Sequence, residues 1–110
     1  MVETLKKNRE FKQVYSYGKS IASSYLVLYW YPNDGTKNRY GFSISKKIGK
    51  AVVRNKLKRR LKEIIRHKED KVKTGYDIII IARKHVNRLE FQRLRKDLIK
   101  LYKKAGIWYY

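Results

Sequence analysis

Apolar positions recur along this chain at two different spacings, and the changes from one to the other mark out its elements. Phe11, Val14 and Tyr15 fall at i, i+3 and i+4, which predicts a helix over residues 8–17, capped by Asn8 and stopped by a left-handed Gly18. Residues 25–31 are apolar throughout and rich in aromatic and β-branched types, the mark of a strand with both faces occupied. Alternation puts Tyr25, Val27, Tyr29 and Tyr31 on one face and Leu26, Leu28 and Trp30 on the other. Pro32-Asn33-Asp34-Gly35 then supplies turn chemistry that reverses the chain. Tyr40, Phe42 and Ile44 alternate with Gly41, Ser43 and Ser45, a second strand with one small, polar face, expected to pair with the first.

The helical period returns in Val53, Leu57, Leu61, Ile64 and Ile65, which predicts an amphipathic helix over residues 51–67. The unbroken run Ile78-Ile79-Ile80-Ile81-Ala82 fits a central strand covered on both faces. Asn87 and Glu90 form a candidate capping box for a last helix that turns Phe91, Leu94, Leu98, Leu101 and Tyr102 inward and ends at Gly106. The order α-β-β-α-β-α implies an α+β fold, an α/β sandwich with a small central β-sheet covered by helices. With 110 residues and no linker or repeat, residues 1–110 are expected to form a single domain.

Charge changes the picture from fold to partner. The chain has 29 Lys+Arg against 9 Asp+Glu, a net +20, yet 43% hydrophobic content is too high for a disordered basic tail. Such an excess calls for a polyanion, and nucleic acid is the commonest one in a cell. A membrane surface is the weaker alternative, since Leu57, Leu61 and Ile64 are committed to the core rather than free to insert. No cysteine is present, so disulfides, thiolate nucleophiles and cysteine zinc sites are excluded. The first residues lack the apolar run of a signal peptide, and the cytoplasm is the expected compartment.

Ten cations (Lys46, Lys47, Lys50, Arg54, Lys56, Lys58, Arg59, Arg60, Lys62 and Arg66) crowd into residues 46–66 against one acid, Glu63. On the helix, Lys58, Lys62, Arg66, Asn55 and Arg59 share the side opposite Val53, Leu57 and Leu61, with Arg54 on the flank. A solvated helix face usually intersperses acids to relieve repulsion, so this face is read as a nucleic-acid surface. Asn55, amid the cations, adds an amide that can reach a base or ribose. The last helix carries Arg93, Arg95, Lys96, Lys100, Lys103 and Lys104 opposed by Glu90 and Asp97, a weaker indication of the same kind. Phe11, Tyr15, Tyr25, Tyr29 and Tyr31 suit stacking on single-stranded bases, although each also suits an ordinary core.

Read as one string, residues 45–59 (SKKIGKAVVRNKLKR) resemble the signature of the bacterial ribonuclease P protein subunit. The likeness extends to LKKNREF at residues 5–11 and DIIIIAR at residues 77–83, and so covers nearly the whole chain. The resemblance implies a left-handed βαβ crossover within the sandwich. It implies a subunit of a ribonucleoprotein endoribonuclease in which a catalytic RNA, with Mg²⁺ bound mainly by that RNA, removes the 5′ leader of precursor tRNA. The expected partners are that RNA and precursor tRNA, with no membrane and no small-molecule substrate. By position, the family's basic helix corresponds to Arg54, Asn55, Lys56, Lys58, Arg59 and Lys62, which with the neighbouring cations Lys46, Lys47, Lys50 and Arg66 are the expected RNA-subunit contacts, and the leader cleft falls to Phe11, Tyr15 and Tyr29. Lys56 and Lys62 stand where the family has Arg, and Lys50 where Asn is common; charge is kept, but Lys lacks the planar fork for bidentate contacts.

The acids, singly scattered apart from Glu69-Asp70, do not suggest the converging carboxylates of a two-metal nuclease, and His67 and His85 read as surface residues. No catalytic or metal-binding residue is therefore expected in the protein itself. A ribosomal or other structural RNA-binding protein without a processing role is the alternative reading.

Overall fold

A computed structural model describes residues 2–109. Helix α1 (Asn8–Tyr17) is followed by strands β1 (Lys19–Ala22), β2 (Leu26–Pro32) and β3 (Arg39–Ser43), helix α2 (Ala51–His67), strand β4 (Tyr76–Ala82) and helix α3 (Phe91–Ala105). Short 3-10 turns at Lys46–Ile48, Glu69–Lys71 and Val86–Arg88 join them. The fold is α+β, with a four-stranded sheet in the order β1-β2-β4-β3.

The interior place of β4 follows from its composition. Ile78, Ile79 and Ile80 are fully buried on both sides of the sheet, so each contributes about 1.5–3 kcal/mol of burial with no face left for water. β2 runs antiparallel to β4, and β3 runs parallel to it with Gly41 beside Ile79 and Ser43 beside Ile81. This corrects the expected pairing of β3 with β2. The chain does reverse after Pro32, where Asn33 Oδ1 accepts the Gly35 amide at 2.8 Å, but β3 leaves one strand width open and α2 carries the chain back so that β4 fills it. The outer edge of β3 is closed by the segment before α1, through Leu5 N–H to the Tyr40 carbonyl at 2.8 Å and Tyr40 N–H to the Glu3 carbonyl at 2.9 Å.

Leu26, Leu28, Ile78, Ile80 and Tyr40 face one layer, where Leu57, Leu61, Ile64, Ile65, Leu94, Leu98, Leu101 and Tyr102 of α2 and α3 bury them. Tyr25 packs against this layer, not with Tyr29 and Tyr31, because β2 begins only at Leu26. On the opposite layer Val14 and Leu5 cover Ile79.

The helix ends differ from expectation in three places. Asn8 lies inside α1, and it is the Glu10 carboxylate that accepts the Lys6 and Lys7 amides, at 3.1 and 2.9 Å. Gly18 is extended rather than left-handed; a side chain there would stand 2.5 Å from the Val14 carbonyl oxygen and 2.8 Å from that of Trp30. Glu90 occupies the N-cap position of α3 without a side-chain capping bond, while Asn87 sits in the preceding 3-10 turn with its amide toward the Ile48 carbonyl. Gly106 does end α3 in the left-handed region, at φ 78°.

The Tyr40 and Tyr102 hydroxyls meet at 2.8 Å in the core between β3 and α3. Burial pushes both phenols well above their ordinary value. The unfolded chain releases these protons near pH 10 and the folded chain keeps them, so stability is intact below pH 10 and falls as pH rises beyond it, by about 1.4 kcal/mol per pH unit for each such tyrosine. Urea unfolding between pH 8 and 11 is expected to show this decline, with a shallower slope for Tyr40→Phe; parallel slopes would exclude the pair as its cause.

Candidate nucleic-acid interface

Strand register brings the aromatic cleft together. Tyr29, Ile79 and Gly41 form one row across β2, β4 and β3, and Val27, Ile81 and Ser43 form the next on the same side. α1 lies over the first row, because Gly41 has no side chain: a Cβ there would fall 2.5 Å from the Phe11 ring. The second row stays half-buried beside the helix and forms a floor. Tyr15, one turn after Phe11 and 40% exposed, meets Tyr29 edge to face with ring centroids 5.0 Å apart and planes at 89°. Burial raises the Tyr15 hydroxyl and the neighbouring Ser43 hydroxyl opposes the shift; the phenol stays a neutral donor at physiological pH. Phe11, Tyr15 and Tyr29, assigned to one cleft by the resemblance, lie together on the α1 side of the sheet. Tyr17, absent from that reading, is 73% exposed and lies 6.5 Å from Tyr31, so the aromatic row runs past the end of α1.

The cations lie on the other layer. Lys46 and Lys47 project from the 3-10 turn, Lys50 precedes α2, and Asn55, Lys56, Lys58, Arg59 and Arg66 are exposed on its outer side. Lys62 and Arg60 are half-buried, and Arg54 turns back so that its Nε donates to the Gly49 carbonyl at 3.2 Å. None of the ten cations has a carboxylate partner among the described residues; the ion pairs there join Arg39 to Glu10 and Asp77, and Glu63 lies 3.8 Å from His67. No acid sits in the first turn of α2, so its unpaired amides add to the positive potential around Lys46, Lys47 and Lys50. Val53 departs from expectation. It is 37% exposed and Val52 is 79% exposed, because the inward stripe of α2 begins only at Leu57. Two apolar side chains therefore stand free among the cations, beside Asn55.

Among the described residues no three His, Asp or Glu side chains converge in a way that would hold a metal. No helix of the described residues is long and apolar enough to cross a membrane.

Comparison with known proteins identifies the family. Residues 2–106 match the family model described as Ribonuclease P. The chain is 47% identical over 109 residues to the ribonuclease P protein component of Clostridium kluyveri, covering 97% of both chains. It is 49% identical over 105 residues to that of Clostridium botulinum, covering 94% of this chain and 95% of the relative. Among solved structures, the Staphylococcus aureus RNase P protein superposes with a TM-score of 0.89 at 32% identity, covering 97% of this chain and 98% of that one. The Thermotoga maritima RNase P protein gives 0.86 at 35% identity, covering 93% and 96%. With the likeness running the length of the sequence and through the whole fold, the chain belongs to the ribonuclease P family, as a protein subunit of that endoribonuclease ribonucleoprotein with RNA as its partner.

Proposed function

We propose that the chain binds the catalytic RNA of ribonuclease P through α2 and the turn before it, and holds the single-stranded 5′ leader of precursor tRNA in the cleft beside α1. Lys46, Lys47, Lys50, Lys56, Lys58, Arg59, Lys62 and Arg66 neutralise RNA phosphates, Arg54 contributes from the flank, and Asn55 reaches a base or ribose. Phe11, Tyr15 and Tyr29 present ring edges and faces to leader bases over a floor of Val27, Ile81 and Ser43. Phosphodiester hydrolysis belongs to the RNA. Magnesium supplies charge stabilisation and water activation there, and the protein contributes binding and orientation. The observation that carries this reading is that an unpaired cationic helix and an aromatic groove occupy opposite layers of one sheet, so two RNA segments can be held at once.

Reconstitution is the test. The protein alone is expected to leave precursor tRNA intact and, mixed with its RNA subunit, to accelerate leader removal most at low Mg²⁺. Cleavage by the protein alone would refute the assignment of chemistry to the RNA. In the same system Arg59→Ala is expected to weaken RNA-subunit binding and to lower the slope of log affinity against log salt by about 0.7–0.9 units, one phosphate contact. An unchanged slope would remove Arg59 from the interface.

A further inference from the structure

The outer face of α3 has no role in the reading above, yet the structure strengthens its charge relative to the sequence. Arg93, Lys96, Lys100 and Lys104 follow one another at i, i+3, i+7 and i+11 and form a single exposed line about 16 Å long. Asp97, counted in the sequence as an opposing acid, is half-buried and accepts the Ser23 hydroxyl at 2.6 Å, so it serves the β1–β2 turn. Lys103 leans over the Trp108 ring at 5.9 Å and leaves the line. The four remaining cations have no ion-pair partner among the described residues. Lys96, Lys100 and Lys104 repel one another at i, i+4 spacing, an arrangement that costs the free protein stability and that an anion from outside relieves.

The line is separate from the α2 surface. α3 packs on β1 and β2, and the groove between the two helices is lined by Glu63, His67, Lys68, Gln92 and Arg95, the one acid of α2 among them. Near its start the line borders a shallow hollow of about 180 Å³ where half-buried Tyr25 and Leu89 lie among Arg93, Lys96 and Lys100, with the Asp97 carboxylate, bonded to Ser23, also in its wall. The face is unsuited to a lipid surface: Leu94, Leu98 and Leu101 are buried, and no bulky apolar side chain of α3 is free to insert. A straight row of cations beside one aromatic ring suits the phosphate backbone of a structured RNA, read by shape rather than by sequence.

We propose that the outer face of α3 is a second RNA-contact surface, which grips the backbone of the RNA subunit at a place distinct from the α2 contact. The proposal rests on the ribonuclease P reading. Its test is the full-length triple variant Arg93→Ala, Lys96→Ala, Lys100→Ala, with affinity for the ribonuclease P RNA measured from 50 to 200 mM salt. Losing three phosphate contacts lowers the salt slope by two to three units, so wild-type affinity falls about 20- to 40-fold more than variant affinity across that window. Without RNA the variant is expected to melt at or above the wild-type temperature, since alanine removes repulsion and favours helix; a merely structural role would lower it. Wild-type affinity and slope in the triple variant would overturn the proposal while leaving the α2 reading intact. Loss of binding to phosphatidylserine vesicles with an unchanged RNA slope would overturn it in favour of a membrane. A wild-type chain that neither binds this RNA nor assists leader removal would overturn both.

Discussion

Replacing Asp77 with alanine is expected to lower the unfolding free energy by about 2–4 kcal/mol, a large part of the roughly 5–15 kcal/mol typical of a domain this size. Asp77 is 4% exposed at the start of β4 and accepts Arg39 Nε at 2.9 Å, Arg39 Nη2 at 2.7 Å and the Asn33 amide at 3.0 Å. The third branch of Arg39 reaches Glu10 in the first turn of α1. One carboxylate therefore fixes the β2–β3 turn, the first residue of β3 and, through Arg39, the position of α1. Removing a buried partner usually costs about 3–5 kcal/mol, but the Arg39 side chain keeps 34% of its exposure and can rehydrate, which lowers the expected figure. Asp77→Asn retains the shape and one acceptor and is expected to lose less. Glu10→Gln, at the α1 end of the network where the carboxylate side chain is 20% exposed against 6% for Asp77, is expected to lose least of the three. Urea midpoints at constant m measure all of them, and a loss below about 1 kcal/mol for Asp77→Ala would show the network to be dispensable.

The parts of this fold legible in the sequence are those whose pattern is local. α2, β4 and the inward face of α3 follow from periodicity and from the isoleucine run, because each buries what its own residues dictate. β1 was invisible for the same reason. Lys19-Ser20-Ile21-Ala22 has one bulky apolar residue, and its extended form comes from pairing with β2. The alternation of Tyr40, Phe42 and Ile44 fixed which face of β3 is buried but carried nothing about its neighbour; the parallel pairing with β4 depends on where α2 returns the chain. Val53 fits the helical period of α2 but lies beyond the reach of the sheet, so period alone overstated the core.

The cleft was half legible. Tyr15 and Tyr29 carried an aromatic signal, while Gly41 and Ser43 looked only like the polar side of a strand. Their place appears once β3 lies beside β4, because the missing side chain at Gly41 lets Phe11 down onto the sheet and Ser43 falls in the next row, beside Ile81. The cationic face of α2 was legible throughout, since charge and helical period are both local quantities.

Tyr29→Ala is expected to weaken binding of leader-bearing precursor tRNA to the reconstituted enzyme by about 1–3 kcal/mol, a 5- to 150-fold loss, while binding of mature tRNA changes little. Tyr29 is an interior-strand residue whose ring meets that of Tyr15 edge to face, one strand row away from the half-buried Val27, Ile81 and Ser43. A base laid on that floor would gain a stacking partner already fixed in place, with little ordering left to oppose binding. Truncation also removes packing under α1, and any general loss of fold would weaken both substrates alike; the ratio between them isolates the leader contact. Tyr29→Phe keeps the ring and should retain nearly the full preference for leader. Equal losses for precursor and mature tRNA would assign Tyr29 to the core alone and move the leader elsewhere on the surface.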